Sequence, residues 1–305
     1  MKVKIRIGNE VKEYTGAWED HTLLEVFQEL GITQVHAPCG GNGTCKKCLV
    51  TVEGLGEVLS CQTQCKDGMC VTVAEEQKSA IAENGNCYLY PADAGEGLLA
   101  ACDIGTTTVV CHLLDGATGV RLCTVSAPNA QRSFGADVIS RIQASVDSGL
   151  DKLQSAIVDQ INGMLVQLKQ KAGRTEDIRR LAVAGNTVMS HLFCGLSPES
   201  IGVAPFTPLS LFGESYDAKQ IGIEGCETVY VVPSIAGYVG GDIVADLAAV
   251  QMHSSVLAED GEKETLMLDI GTNGEMVLGK SGSYVCCATA AGPAFEGAEI
   301  AMGMP

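Results

Sequence analysis

The sequence predicts two domains, a small α+β unit followed by a larger α/β unit whose strand-turn-strand hairpin recurs in an incomplete second copy. Three observations predict this. At 305 residues the chain exceeds the usual size of a single core. From Leu98 the pattern changes to apolar strands alternating with longer helical stretches. Finally, DIGTTT, starting at Asp103, returns as DIGTNG, starting at Asp269, each time directly after an apolar strand.

Taken in order, residues 2–7 and 11–16 alternate apolar and polar side chains as strands do, and 21–30 carries helical periodicity. Leu23, Leu24, Phe27 and Leu30 form the apolar stripe of that helix, Asp20 is placed to cap it and Gly31 to end it. A glycine-rich loop follows, then strands near 48–53 and 69–74. Residues 75–98 are polar and rich in glycine and alanine, as a linker is. The division is therefore 1–78, a linker at 79–98, and a second domain at 99–305. In that domain LLAACDIGTTTVVCHLLD reads as a hairpin and 135–171 as helical. RRLAVAGN is a strand leading into helix TVMSHLF, and ETVYVVPSIAG is a strand leading into helix DIVADLAAV. TLMLDIGTNGEMVLG then repeats the hairpin form.

Composition narrows the function classes. Hydrophobic residues make up 46% and charged residues 19%, which fits a folded chain rather than a disordered one. No apolar run approaches the roughly 18 residues that span a bilayer, so no membrane role is expected. The start, MKVKIRIGNEVKEY, lacks the apolar core of a signal peptide, which predicts a cytoplasmic protein. A formal charge of -17 repels phosphate backbones and argues against nucleic acid as a partner. The 14 cysteines then read as thiols and metal ligands rather than a disulfide framework.

The segment HAPCGGNGTCKKCLV places Cys39, Cys45 and Cys48 in one short loop, and Cys61 follows in VLSCQT. Three thiolates in one loop can wrap an iron-sulfur cluster, and Gly40, Gly41 and Gly43 let backbone amides approach the sulfurs. The plant-type spacing has four residues in the first gap where this chain has five, so the match is to the broader ferredoxin class. The same thiols could hold tetrahedral zinc, but zinc sites normally use two separated pairs. Cys65 and Cys70 compete with Cys61 as the fourth ligand, and LSCQT resembles the fourth-ligand motif of this ferredoxin type. Cys102, Cys111, Cys123, Cys194, Cys286 and Cys287 lie mostly in apolar strands or helices, where cysteine packs as a small hydrophobe.

The two glycine turns carry the second chemistry. Asp103 and Asp269 each end a strand where a carboxylate can hold hydrated Mg²⁺. The turns that follow, Gly105, Thr106 and Thr107 in one copy and Gly271, Thr272 and Asn273 in the other, can bond phosphate oxygens. Either turn alone reads as a tight hairpin; two in matching contexts could clamp one nucleotide. Asp242, after VVPSIAGYVGG, is a candidate for the metal or the attacking water and equally a helix N-cap. Asn186 could touch a ligand or cap the helix after it.

This duplicated pattern resembles the superfamily of acetate and sugar kinases, heat-shock chaperones and actin. The resemblance implies an actin-like ATPase fold with ribonuclease H-like duplicated lobes, preceded by a β-grasp ferredoxin-like domain, and ATP and Mg²⁺ as ligands. The fusion of a 2Fe-2S ferredoxin domain to this fold resembles the reductive activators of corrinoid proteins. NAQRSFGADVISRI at 129–142, LAVAGNTVMSHLFCGLSPESIGVAPF at 181–206 and TAAGPAFEGAEIAMGM at 289–304 carry that resemblance further. It implies a 2Fe-2S cluster on Cys39, Cys45, Cys48 and Cys61, and catalytic roles for Asp103, Asp242 and Asp269. It also implies a low-potential electron donor and, as partner, a corrinoid protein or corrinoid-dependent methyltransferase whose Co(II) is reduced to Co(I) at the expense of ATP. A homodimer is one assembly it leaves open.

Relative to that superfamily the chain stops at Pro305, soon after the second turn, and about half of the second lobe is expected to be missing. The rival readings are an electron carrier and docking module with a degenerate nucleotide fold, a small-molecule kinase with a regulatory cluster, and a dehydratase-type activator. No phosphoryl acceptor is identified for the kinase, and the dehydratase activators carry a 4Fe-4S cluster shared between subunits, which the three-plus-one cysteine pattern does not resemble.

Overall fold

A computed structural model describes residues 1–32, 34–35, 37, 41–44, 46–74, 95–253, 264–271, 273–280 and 283–289, with backbone alone at 251–253. The linker expected at 75–98 lies outside the described residues as far as 94, as does all of TAAGPAFEGAEIAMGM after Thr289. The described chain forms two compact units, one of residues 1–78 with 130–156 and one of the remainder.

In the first unit β1 (Lys2–Ile7) and β2 (Glu10–Thr15) form a hairpin, followed by helix α1 (Leu23–Glu29), β3 (Leu49–Val52), β4 (Gly56–Leu59) and β5 (Met69–Val73). The sheet order is β2-β1-β5-β3-β4, with β1 and β5 parallel and the other pairs antiparallel. Leu23, Leu24, Val26 and Phe27 bury the apolar face of α1 in a core with Val3, Ile5, Val50 and Val71. Each such fully buried side chain contributes about 1.5–3 kcal/mol. The cap differs from expectation: Thr22, not Asp20, precedes the helix. Its hydroxyl accepts from Glu25 N while the Glu25 carboxylate accepts from Thr22 N, a reciprocal pair that Asp20 stands too far upstream to make. Gly31, at φ 66°, ends the helix as the sequence indicates. Strand β4 is short and has two exposed positions, which hid it from periodicity. Within this unit Gln28 Nε2 also donates to Ser133 O.

The second unit holds a six-stranded sheet. Its strands are β6 (Leu98–Ile104), β7 (Thr108–Asp115), β8 (Arg121–Pro128), β9 (Ile178–Gly185), β10 (Ser215–Asp217) and β11 (Cys226–Val231), in the order β10-β11-β9-β6-β7-β8. The stretch read as helical at 135–171 becomes α2 (Val138–Ala144), which belongs to the first unit, and α3 (Leu150–Ala172), which enters the second unit at Ile157, joined by a wider turn at Ser145–Gly149. Helices α4 (Thr187–Phe193), α5 (Ala218–Ile221) and α6 (Gly241–His253) complete the helical layer. A further meander, β12 (Thr265–Ile270), β13 (Gly274–Lys280) and β14 (Ser283–Thr289), packs on α6 through Val239, Ile243 and Val277. The duplicated hairpin is therefore a duplicated three-stranded meander: β6-β7-β8 and β12-β13-β14 share one antiparallel order. In each copy the aspartate is the penultimate residue of the first strand. No helix among the described residues is long and apolar enough to cross a membrane.

Candidate functional site

The first site is the cysteine cradle. Cys48 stands just ahead of β3 and Cys61 in a short 3₁₀ turn after β4, so the β3–β4 hairpin folds them together. Their Sγ atoms are 3.3 Å apart and buried, and Ser60 N donates to Cys48 O at 2.9 Å. Gln62 braces the loop: its Nε2 donates to Gly41 O at 3.1 Å and lies 3.7 Å from the Cys61 sulfur. Gly43, at φ 74°, leaves room for Gln62, which an added Cβ would meet at 3.2 Å. Burial, then the Cys48 thiol, push Cys61 up to about 11, so Cys61 keeps its proton until a metal takes its place. Paired soft thiols braced by an amide donor fit an iron-sulfur cluster. Cys39 and Cys45 lie outside the described residues. Cys65 and Cys70 sit apart from the pair, Cys65 in the core with its N–H donating to His21 O, and Cys70 on β5 beside Lys4.

The second site forms where glycines allow backbones to touch. A Cβ on Gly185 would lie 2.8 Å from Ile104 O, and one on Gly240 would lie 2.4 Å from Asn186 Cα. These two glycines seat the β6–β7 turn, the start of α4 and the start of α6 against one another. Asn186 takes the capping role: its Oδ1 accepts from Met189 N at the start of α4, and its Nδ2 donates to Thr106 Oγ1 at 3.1 Å. Asn129 holds the same turn from the other side, donating from Nδ2 to Gly105 O and from its backbone N to Thr107 O. In the second copy Gly271 N donates to Asn273 O at 2.9 Å, while Thr272 lies outside the described residues.

Asp242 is not the N-cap of α6. The helix begins at Gly241, so the carboxylate falls in the first turn and accepts from Ile243 N at 2.8 Å. It faces Asp103, Asp246, Asp269 and Glu275 closely enough for their charges to act on one another. Burial raises Asp103 to about 7 and Glu275 to about 7, with Asp242, Asp246 and Asp269 adding repulsion, and Asp246 rises to about 6. Asp242 and Asp269 are raised by burial as well. By surface area Asp103 and Asp246 are exposed to solvent, which tempers the effect of burial on them, whereas Glu275 is only 6% exposed. Among the described residues no three such side chains are arranged to hold one ion directly. The donor set is chemically suited to a hard cation such as Mg²⁺, which keeps several of its waters beside phosphates.

The sequence reading missed Asp246 and Glu275. Asp246 follows Asp242 by one helical turn, a spacing that puts both on one face. Glu275 lies directly across from Asp269 in the β12–β13 register, and a hairpin reading of DIGTNGE contains that pairing.

Residues 98–255 match the family model described as the RACo middle region. The chain belongs to the RACo family. Residues 263–305 match the C-terminal domain of RACo, the ASKHA domain, and residues 5–76 match a 2Fe-2S iron-sulfur cluster binding domain. The fold is thus a ferredoxin-type domain followed by an actin-like ATPase fold. Among curated relatives, the corrinoid activation enzyme RamQ of Eubacterium limosum is 32% identical, with 94% of this chain and 61% of RamQ covered. The reductase of the Co(II) methylated amine-specific corrinoid protein of Methanosarcina barkeri is 28% identical, over 67% of this chain and 38% of that one. A solved structure titled reductive activator for corrinoid, iron-sulfur protein superposes with a TM-score of 0.62 at 29% identity, covering 99% of this chain and 65% of its own. The RACo chain described above spans less than two thirds of the length of each.

Proposed function

We propose that this RACo chain takes up single electrons and passes them, with ATP binding and hydrolysis, to a Co(II) corrinoid protein or corrinoid-dependent methyltransferase, restoring Co(I). What supports the reading above all is that one chain of this family carries both a buried thiol cradle and a duplicated carboxylate turn. When bound, a 2Fe-2S cluster supplies a centre that accepts one electron at a time. Cys48 and Cys61 hold it together with Cys39 and Cys45, and Gln62 braces the loop. The domains responsible are 1–78 and 99–305, joined through 79–98.

In the second domain Gly105, Thr106, Thr107, Gly271, Thr272 and Asn273 contact the phosphates, with Asn129 and Asn186 fixing the first turn in place. Asp103 and Asp269 would hold Mg²⁺, which would neutralise phosphate charge there, and Asp242 orients the attacking water. Reduction of Co(II) to Co(I) runs uphill from an ordinary low-potential donor, so nucleotide must favour one conformation of the protein over another. The test is the yield of Co(I), followed by its visible spectrum, with a corrinoid protein, a low-potential donor and either ATP, a non-hydrolysable analogue or no nucleotide. Equal yields in the three arms refute ATP coupling and leave an electron carrier.

A further inference from the structure

Among the described residues two pairs of thiols meet closely. Cys48 and Cys61 belong to the cradle. The other pair, Cys102 and Cys111, lies in the second unit with Sγ atoms 2.9 Å apart, and the proposed mechanism makes no use of it. We propose that Cys102 and Cys111 form a peroxide-sensitive dithiol whose reversible disulfide closes the hairpin carrying the first glycine turn.

The two residues are direct partners in the antiparallel β6–β7 register. Such partners have Cα atoms about 4.5–5.5 Å apart, inside the span of roughly 4.4–6.8 Å that a disulfide bridges. Asp103 and Ile104 pair next with Val110 and Val109, and the turn follows. A bond between the sulfurs therefore encloses residues 103–110, which include Asp103, Gly105, Thr106 and Thr107. Core packing explains a buried cysteine at either position, but not two sulfurs aimed at each other from facing sites. Cys123 and Cys226, by contrast, place their sulfurs against the carbonyls of Leu168 and Thr228.

Both thiols are buried, at 3% and 0% exposure. Reaction therefore waits on local opening of the hairpin, which lets one thiol ionise and admits small neutral peroxide ahead of bulky reagents. One thiol loses its proton and attacks a peroxide oxygen; the S–O bond forms, the O–O bond breaks and water leaves, giving a sulfenic acid. The second thiol attacks that sulfur; the S–S bond forms, the S–O bond breaks and a second water leaves. The protein loses two hydrogens and hydrogen peroxide takes two electrons. A thiol reductant reverses the bond by exchange.

The consequence for a phosphate turn rests on the proposed function, but the test does not. The full chain is treated with hydrogen peroxide, denatured, alkylated and mapped by peptide fragmentation. Cys102 and Cys111 should escape alkylation together, in a peptide lighter by two hydrogens that dithiothreitol restores. Amide exchange over 103–110 should slow several-fold in the oxidised form. Cys111→Ala should stop at a Cys102 sulfenic acid trapped by dimedone. The proposal is overturned if both cysteines still alkylate fully at a dose that oxidises the exposed Cys287, or if exchange over 103–110 is the same in both forms. Since no nucleotide is added, either failure leaves the ATP reading to its own experiment.

Discussion

Replacing Glu275 by glutamine should stabilise the metal-free protein at neutral and higher pH, although it removes a charged side chain from a candidate site. Glu275 is buried and its carboxyl is raised from 4.5 to about 7, first by burial and then by Asp242, Asp269 and Asp246. A raised carboxyl favours the folded state only while it is protonated. That contribution is complete below about pH 4.5, shrinks as pH rises through 7, and is gone above. The shift corresponds to about 3 kcal/mol in full, and water reaching the neighbouring carboxylates screens part of it, leaving a gain of roughly 1–2 kcal/mol. For a unit of this size that is about 4 °C in the unfolding midpoint. The assay is thermal unfolding by circular dichroism in EDTA at pH 4.5 and pH 8. Trp18, the sole tryptophan, reports the first unit by fluorescence as an internal control. The glutamine variant should gain at pH 8, match the parent at pH 4.5 and lose most of the stabilisation that Mg²⁺ gives the parent. A lower midpoint at pH 8, or a shift independent of pH, refutes the reasoning.

Three further outcomes follow from the same geometry. Cys48→Ser and Cys61→Ser should each abolish the visible and paramagnetic signature of a reconstituted cluster, while Cys65→Ser and Cys70→Ser keep it; loss of signal in the Cys65 variant alone would displace Cys61 from the ligand set. Gly240→Ala should cost about 1–3 kcal/mol by forcing a Cβ onto Asn186 Cα, seen in chemical denaturation, and should weaken any nucleotide-induced thermal shift. Thr22→Ala removes the reciprocal cap of α1 and should cost about 1 kcal/mol, read from the Trp18 transition, whereas Asp20→Ala should be close to neutral.

The parts legible in the sequence were those whose cause is local. Alternation gave β1, β2 and β5, three cysteines in one loop gave the cradle, and the repeated DIGT gave both turns. What escaped was set by partners distant in sequence. Strand β8 is an edge strand with one buried position, Val125, so it carries no alternation to read. Thr22 outcompetes Asp20 because Glu25 stands three residues on, and capping depends on that pairing more than on the presence of a carboxylate. Asp242 missed the cap role because Gly240 and Gly241 are needed for close backbone approach, and the helix starts two residues earlier than that cap would place it. Glu275 needed the register of a hairpin, and its burial could not be read from the sequence because a carboxylate one residue past a glycine turn reads as exposed.

The two meanders differ at one informative point. Across from Asp103 stands Val110, but across from Asp269 stands Glu275. The second copy therefore brings two acids to the place where the first brings one, and Asp246 adds another from α6. Asp269 raises the other four carboxyls, and five carboxylates gathered in this way oppose folding whenever they are all ionised, so the arrangement is costly as a purely structural feature. A cation with its waters, or protons at low pH, removes the repulsion. The asymmetry thus predicts where Mg²⁺ binding contributes most: toward β12, β13 and α6 rather than toward β7. Glu275→Gln should accordingly weaken the Mg²⁺-induced rise in midpoint more than Val110→Ala does, and the opposite ranking would place the ion on the first meander.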